Sequence, residues 1–403
     1  MNRTIIRNTL IFIIITMLIV SSFLVYKDYA TKQVNYYQSK IVFYQEIMNT
    51  EQEWIINSQL DNGAFPFRPL SNNKADVIPY FSTITAMSLL QGDFNDYTNQ
   101  VIKYIEWMLS RLNTKDEDYF NIDGTMSNFH IERINNKLVE TTYKYDSVDS
   151  YNALFLALVD KVYSKTNDNE FLLRNESNIV RVINALLSTR NANGLSLVSV
   201  GNRTQYTMDN VEVNYGLKSS ANLINKLIKI SSNTDKLTII QNQIDTWLKE
   251  NTQAIQTYLW SSETSKFHVA INTTDQVVEF KGWDVFYPDA VAQLYPIVFD
   301  YIEPSSAQAS ELYQLFNDEY DWEQFNYRDS GDFHWTVIVY IASLMQDIER
   351  VEEYLKFYSK NVIPTHPYPI YNAEVAWVIN ASQTMIEYYE NKLNKIDPFK
   401  IFH

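Results

Sequence analysis

The chain has 403 residues, a formal net charge of −15 and no cysteine. The absence of cysteine excludes disulfide bonds, thiolate nucleophiles and the toroidal zinc enzymes that need a cysteine ligand. Because nucleic-acid binding requires clustered Lys and Arg, the acidic balance argues against DNA or RNA as a partner.

An apolar segment without a formal charge covers residues 9–26. As a helix it would be about 27 Å long, close to the thickness of the hydrocarbon core of a bilayer. Arg3 and Arg7 precede it, so we expect residues 1–8 to be cytoplasmic and the main domain to lie outside the cell. A cleaved signal peptide is the alternative, but the segment 21–24 is unlike an Ala-x-Ala cleavage site. The sequence therefore predicts a single-pass signal anchor in the cell membrane, with the lipid bilayer as a partner.

After a polar connector at 27–40, residues 41–403 are expected to form one domain, in which apolar residues recur with helical periodicity. Irregular spacing excludes TPR or HEAT arrays and favours an all-α (α/α)6 toroid of six helical hairpins over an open helical solenoid. Short extended hairpins are predicted within 113–145 and 266–280. The predicted helix pairs are 41–59 with 77–90, 97–112 with 146–163, 175–190 with 209–229, 236–258 with 285–301, 306–318 with 333–347, and 349–360 with 372–391.

The second helix of each pair begins with acidic and aromatic residues. In a closed ring these beginnings would meet at one mouth, where carboxylates and stacking rings could hold and cleave a sugar. The six beginnings are 75–81, 145–151, 208–212, 283–289, 332–335 and 371–377.

Asp76 is expected to open the first of these helices, with Tyr80 four residues later. A carboxyl beside aromatic rings loses hydration, which raises its pKa and suits a general acid. The alternative is an N-cap aspartate, whose pKa would be lowered by the backbone N–H groups that it accepts.

Two further helices begin with acids three residues apart, Asp146 with Asp149 and Asp209 with Glu212. Such a pair shares one helix face. We expect Asp146 to cap its helix, and Asp149 to point into the mouth near Tyr151 and hold a sugar hydroxyl. For the second pair, a capping box in which Glu212 reaches back is the alternative.

The later helix beginnings place acids among aromatic rings, on which the apolar face of a sugar could stack. A single Trp of this kind ordinarily belongs to the core, but its repeated pairing with an acid favours substrate binding. Neither an HExxH motif nor a P-loop or GxGxxG motif is present, so no metal and no cofactor is predicted. The residues predicted to bind substrate here are Trp283, Asp284, Tyr287, Asp289, His334, Trp335, Glu374 and Trp377.

Residues 41–391 resemble the six-hairpin glycosidase superfamily and, remotely, glycoside hydrolase family 8. That family begins its first inner helix with Ser-Glu-Gly and a Tyr four residues after the Glu, a spacing that Asp76 and Tyr80 keep with Asp in place of Glu. Its Asp-rich second inner helix is similar to 146–154, and its Tyr-Asp pair followed by Arg is similar to 208–212, with Glu212 in place of the Arg. The resemblance implies Asp76 as general acid, Asp209 as general base and Asp149 as a ligand of the distorted sugar.

The sequence thus predicts a membrane-anchored, extracytoplasmic glycoside hydrolase that acts on an exopolysaccharide or cell-wall glycan through two carboxylates, with inversion. One alternative is a polysaccharide lyase or epimerase on the same fold, with Tyr and His abstracting a proton. The other is a non-catalytic glycan-binding scaffold of a polysaccharide synthesis or export system, whose partners would be polysaccharide-synthesis proteins.

Overall fold

A computed structural model describes residues 3–92, 95–324, 333–367 and 369–396. Within these ranges twelve α-helices follow one another as six hairpins, and the expected all-α (α/α)6 toroid is confirmed. The helices are α1 (Arg3–Ser58), α2 (Pro79–Ser88), α3 (Thr98–Leu109), α4 (Asp149–Thr166), α5 (Asn169–Leu187), α6 (Thr207–Ile230), α7 (Thr234–Ala254), α8 (Val291–Val298), α9 (Ala307–Glu319), α10 (Val337–Leu344), α11 (Ile348–Asn361) and α12 (Asn372–Ile396).

The chain divides into two compact units, one of residues 1–48 with 382–403 and the other of residues 49–381. In the second unit α2 packs on α4, α4 on α6, α6 on α8 and α8 on α10, so the second helices of successive hairpins are neighbours and form an inner ring. The contact between α4 and α6 is close because a Cβ at Gly216 would lie 2.5 Å from the Cα of Ala153. Glycine at this position therefore lets the two acid-bearing helices approach each other.

Helix α1 is continuous from Arg3 to Ser58 and contains both the predicted span 9–26 and the predicted connector 27–40. Its apolar N-terminal part exposes its side chains. Among the described residues it is the one helix that is long and apolar enough to cross a membrane. The boundaries at residues 8, 26 and 40 stay predictions.

Within the described ranges eight short strands lie between the helices, and they include the extended hairpins predicted within 113–145 and 266–280. In the first sheet β2 pairs antiparallel with both β1 and β3. The turn between β2 and β3 consists of Asn135 and Asn136, both with positive φ, as a two-residue hairpin turn requires. The strands are β1 (Lys74–Val77), β2 (Asn128–Ile134), β3 (Lys137–Tyr143), β4 (Gln205–Tyr206), β5 (Trp260–Ser261), β6 (Lys266–Phe267), β7 (Ala270–Ile271) and β8 (Val277–Val278).

Two helix beginnings differ from the expectation. Asp76 does not open α2: it lies in β1, and the helix begins at Pro79 after an extended Ile78. Proline favours the first helical position and forces the preceding residue into an extended conformation, which explains the difference. Asp146 does not cap α4, because that helix begins at Asp149 with Val148 as its N-cap residue.

Candidate active site

A cavity of about 560 Å³ lies among the inner helices, and both acids and aromatic rings line it. Helices α4 and α6 contribute their N-terminal ends, and the segments before α10 and α12 contribute rings. None of the described lining residues is Lys, Arg or His. The residues predicted from sequence that line the cavity are Tyr80, Asp146, Tyr151, Asp209, Glu212, Tyr287, Trp335, Glu374 and Trp377.

Asp209 and Glu212 lie on the cavity side of α6, and both have a raised pKa. Burial raises the pKa of Glu212 to about 8. Burial, with the added charges of Asp149, Glu212 and Asp146, raises the pKa of Asp209 well above its usual range. Because carboxyls crowded in a poorly hydrated site cannot all ionise, the site favours the protonated form of both acids.

The two acids differ in how accessible they are to a ligand. Asp209 is half-buried and in the first turn of α6, whereas Glu212 is 1% exposed. The Tyr80 hydroxyl donates to Oε1 of Glu212 at 2.6 Å, so Glu212 is held from the α2 side. Glu212 does not reach back to form the capping box considered above; its side chain lines the cavity instead. Of these two acids, Asp209 is therefore the more accessible to a bound molecule.

Asp146 and Asp149 have exchanged the positions expected of them. Asp146 is exposed in the cavity and accepts a hydrogen bond from the Tyr151 hydroxyl. Asp149 is fully buried outside the cavity lining, where it accepts from the Ser147 and Ser196 hydroxyls, each at 2.8 Å, and from the Ser150 backbone N–H at 2.9 Å. Burial raises its pKa to about 6.

The exchange follows from where α4 begins. Because Asp149 is the first helical residue, its carboxyl turns back onto the helix N-terminus, while Asp146 stays in the preceding loop. Asp149 acts on the cavity through its hydrogen bonds with the cavity-lining Ser147 and Ser150, and through its charge, which contributes to the raised pKa of Asp209.

Aromatic rings form a wall of the cavity. The ring centroids of Tyr287 and Trp335 are 5.0 Å apart, those of Trp335 and Phe333 are 5.7 Å apart, and those of Phe333 and Tyr371 are 5.2 Å apart. Such a row of rings offers apolar faces to a flat partner such as a sugar ring.

Glu374 positions this aromatic wall. Its Oε2 accepts from the backbone N–H of Thr336 at 2.7 Å and from the Thr336 hydroxyl at 2.6 Å, next to Trp335 with its left-handed φ of 51°. Burial raises the pKa of Glu374. Trp377, one helical turn further along α12, lines the cavity and stacks on Tyr340 at 5.6 Å.

Several predicted site residues lie outside the cavity lining. Asp76 pairs with His130 on the neighbouring strand, with 2.9 Å between Oδ1 and Nδ1. Asp289 is buried and accepts from the backbone N–H of Lys281, so it holds its own loop. Burial lowers the pKa of His334. The predicted residues that do not line the cavity are Asp76, Asp149, Trp283, Asp284, Asp289 and His334.

Tyr295 is a cavity residue that the sequence analysis missed. It lies inside α8, and burial with the charge of Glu212 raises its pKa. It could not be found from the helix beginnings alone, because it lies within the helix. Its position on the helical periodicity of the apolar segment is the signal that could have found it. Tyr206, Phe333 and Tyr371 also line the cavity; Phe333 and Tyr371 belong to the helix beginnings 332–335 and 371–377, and Tyr206 directly precedes α6.

No protein-family model and no curated protein matches the chain. Solved structures do: a wild-type glycosidase matches with a TM-score of 0.56 and 10% identity, over 87% of this chain and 98% of that one. A rhamnosidase from Klebsiella oxytoca with rhamnose bound has a TM-score of 0.55 and 10% identity, covering 86% of this chain and 64% of that one. An alpha-amylase from Clostridium perfringens has a TM-score of 0.55 and 9% identity, covering 84% and 97%.

At these identities the likeness concerns the fold, and the six-hairpin glycosidase fold expected from the resemblance is confirmed. The closer relation to glycoside hydrolase family 8 stays a prediction.

Proposed function

We propose that the protein is a membrane-anchored, extracytoplasmic glycoside hydrolase of an exopolysaccharide or cell-wall glycan. The observation that supports it is one cavity in which Asp209, whose pKa is raised well above its usual range, and Asp146 lie with a wall of aromatic rings. The glycosidase fold agrees with this reaction class. The long helix α1, whose exposed apolar segment 9–26 is preceded by Arg3 and Arg7, supports the membrane anchor.

In the proposed reaction, Asp209 protonates the glycosidic oxygen as the bond to the anomeric carbon breaks. Asp146 takes a proton from a water molecule whose oxygen bonds to that carbon from the opposite face, which inverts its configuration. Glu212 and Tyr80, joined by their hydrogen bond, hold a sugar hydroxyl inside the cavity.

These roles differ from those implied by the resemblance. A general acid must be protonated at the working pH, and the raised pKa of Asp209 favours donation over acceptance of a proton. Asp76 is excluded from the acid role in this proposal, since its carboxylate is half exposed on β1 and pairs with His130.

The charge of the cavity limits the substrate class. With acids and no described cationic side chain along its lining, the cavity fits a neutral glycan or one that contains amino sugars. A uronate polymer would bring further negative charge next to Asp146 and Asp209, which costs free energy in a poorly hydrated site.

The lyase alternative needs a tyrosine that can accept a proton. Burial and the charge of Glu212 raise the pKa of Tyr80, and burial and the charge of Asp146 raise that of Tyr151. Both hydroxyls therefore stay protonated at neutral pH. His334, the other base considered, does not line the cavity.

The test is incubation of the full chain with mixed-linkage β-glucan, chitosan and alginate, followed by measurement of reducing ends and of the anomer first released by proton NMR. We expect reducing ends with the inverted anomer from β-glucan or chitosan. Unsaturated products that absorb ultraviolet light would establish a lyase. Binding without any product over days would establish the glycan-binding scaffold.

A further inference from the structure

The sheet of β1, β2 and β3 packs on α3 with one face and exposes the other. On the packed face the rings of Phe129 and Trp107 are 4.9 Å apart, and Arg111 pairs with Glu140. Side chains alternate between the two faces of a strand, so the pairing register fixes the composition of the opposite face. Starting from the Asn128–Tyr143 pair, this outer face consists of Asn128, Tyr143, Asp76, His130, Thr141, Lys74, Glu132, Val139, Ile134 and Lys137.

The outer face is continuous with the cavity through Asn128. The hydroxyl of Tyr151, which lines the cavity, lies 3.1 Å from Oδ1 of Asn128 and donates to Asp146. Tyr143 is the register partner of Asn128. Burial and the charges of Asp76 and Asp146 raise the pKa of Tyr143.

The chemistry of the outer face suits a sugar. Tyr143 and Val139 are 39% and 45% exposed and offer apolar surface for a sugar ring. Asp76 and His130, also about half exposed, and the Thr141 hydroxyl supply acceptors and donors for sugar hydroxyls. The lysines of this face, Lys74 and Lys137, lie further along the strands from Asn128, and Lys74 pairs with Glu132 at 3.6 Å.

We propose that the outer face is a second sugar-binding subsite, which holds the part of a neutral or amino-sugar glycan that extends out of the cavity. This subsite rests on the proposed function of the cavity. One glycan chain occupies both the cavity and the subsite, because Asn128, the register partner of Tyr143, contacts the cavity-lining Tyr151. Asp76 is then a binding residue for the distal sugars, and chains long enough to reach Tyr143 bind more tightly than short ones.

The test measures binding of cello-oligosaccharides and glucosamine oligosaccharides, as dimers and hexamers, by titration calorimetry. The parent is the full chain with Asp209→Asn, which prevents turnover. Tyr143→Ala and Asp76→Asn are added to this parent, and Tyr258→Ala, which removes another exposed tyrosine, is the matched control. We expect the affinity for the hexamer to fall about tenfold in Tyr143→Ala, while the affinity for the dimer and the behaviour of the control stay unchanged.

Unchanged affinity for dimer and hexamer in Tyr143→Ala overturns the subsite and leaves the function of the cavity standing. An equal loss at both lengths overturns it too, because the tyrosine then supports the cavity or the fold. A change in molecular mass by light scattering without a change in glycan affinity assigns the face to an interface between copies. A parent that binds no member of either series counts against the proposed function itself, and the subsite falls with it.

Discussion

The same sequence pattern, an acid followed closely by a tyrosine or another acid, occurs in the N-terminal turns of α4 and α6 and on strand β1. In the helices the acids are enclosed: Asp149 and Glu212 are almost fully buried, and burial raises the pKa of each. On β1 the carboxylate of Asp76 is half exposed and pairs with His130. The comparison teaches that sequence supplies the carboxyl, while enclosure by neighbouring helices decides whether it can hold a proton at neutral pH.

The largest effect is expected for Asp209→Asn, which removes the proton donor but keeps the size of the side chain. Release of reducing ends should fall about 10²- to 10⁴-fold, the usual contribution of general acid catalysis, while glycan binding persists. Asp284→Asn, a change at an exposed carboxyl outside the cavity lining, is the control and should retain full activity. Loss of activity in the Asp76→Asn variant as large as that in the Asp209→Asn variant would restore the roles implied by the family resemblance, in which both acids are catalytic.

The second effect concerns stability and pH. The pKa of Glu212 is raised to about 8 in the folded protein from an ordinary value of 4.5. Between pH 4.5 and pH 8 the folded state therefore binds a proton that the unfolded state has released. The contribution of Glu212 to the free energy of unfolding, on the order of 5 kcal/mol, is therefore present in full below pH 4.5 and is lost as pH rises through 8.

Glu212→Gln stays neutral, so the variant should lose less stability than the unmodified chain between pH 5 and pH 8. Urea unfolding at the two pH values measures this, with Glu263→Gln as an exposed control. Equal losses in the Glu212→Gln variant and the unmodified chain would mean that Glu212 is ionised in the folded state.

A smaller effect is expected for Trp335→Ala, which removes a ring from the aromatic wall between Tyr287 and Phe333. KM should rise about tenfold, equivalent to a stacking contribution of about 1.4 kcal/mol, with kcat nearly unchanged. Trp335→Phe should keep most of the affinity. A fall in kcat at unchanged KM would instead assign Trp335 to the arrangement of the acids.

The smallest effect is expected for Asp76→Asn on short substrates. An exposed ion pair such as that with His130 contributes about 0.2–1 kcal/mol, so cleavage of a dimer should change by less than about threefold. Steady-state rates on dimers measure it. A loss as large as that of Asp209→Asn would remove the distinction between the enclosed and the exposed acid.

The sequence by itself determined the six hairpins, the long apolar helix and the short extended hairpins. Helical periodicity is a local property, and so is the need of the Asn135–Asn136 turn for residues that tolerate positive φ. The predicted helix 209–229 corresponds to α6 at Thr207–Ile230, and 372–391 to α12 at Asn372–Ile396. The acids and aromatic rings at the beginnings of the inner helices were also evident from the sequence.

Only the tertiary structure decided which of these acids share the cavity. Pro79 moved the start of α2 beyond Asp76, and the start of α4 at Asp149 turned that carboxyl inward and left Asp146 in the cavity. Tyr80 and Glu212, far apart in the chain, meet because α2 and α6 are both inner helices. The physical reason is that exposure and proton affinity depend on groups contributed by other helices, which no local pattern specifies.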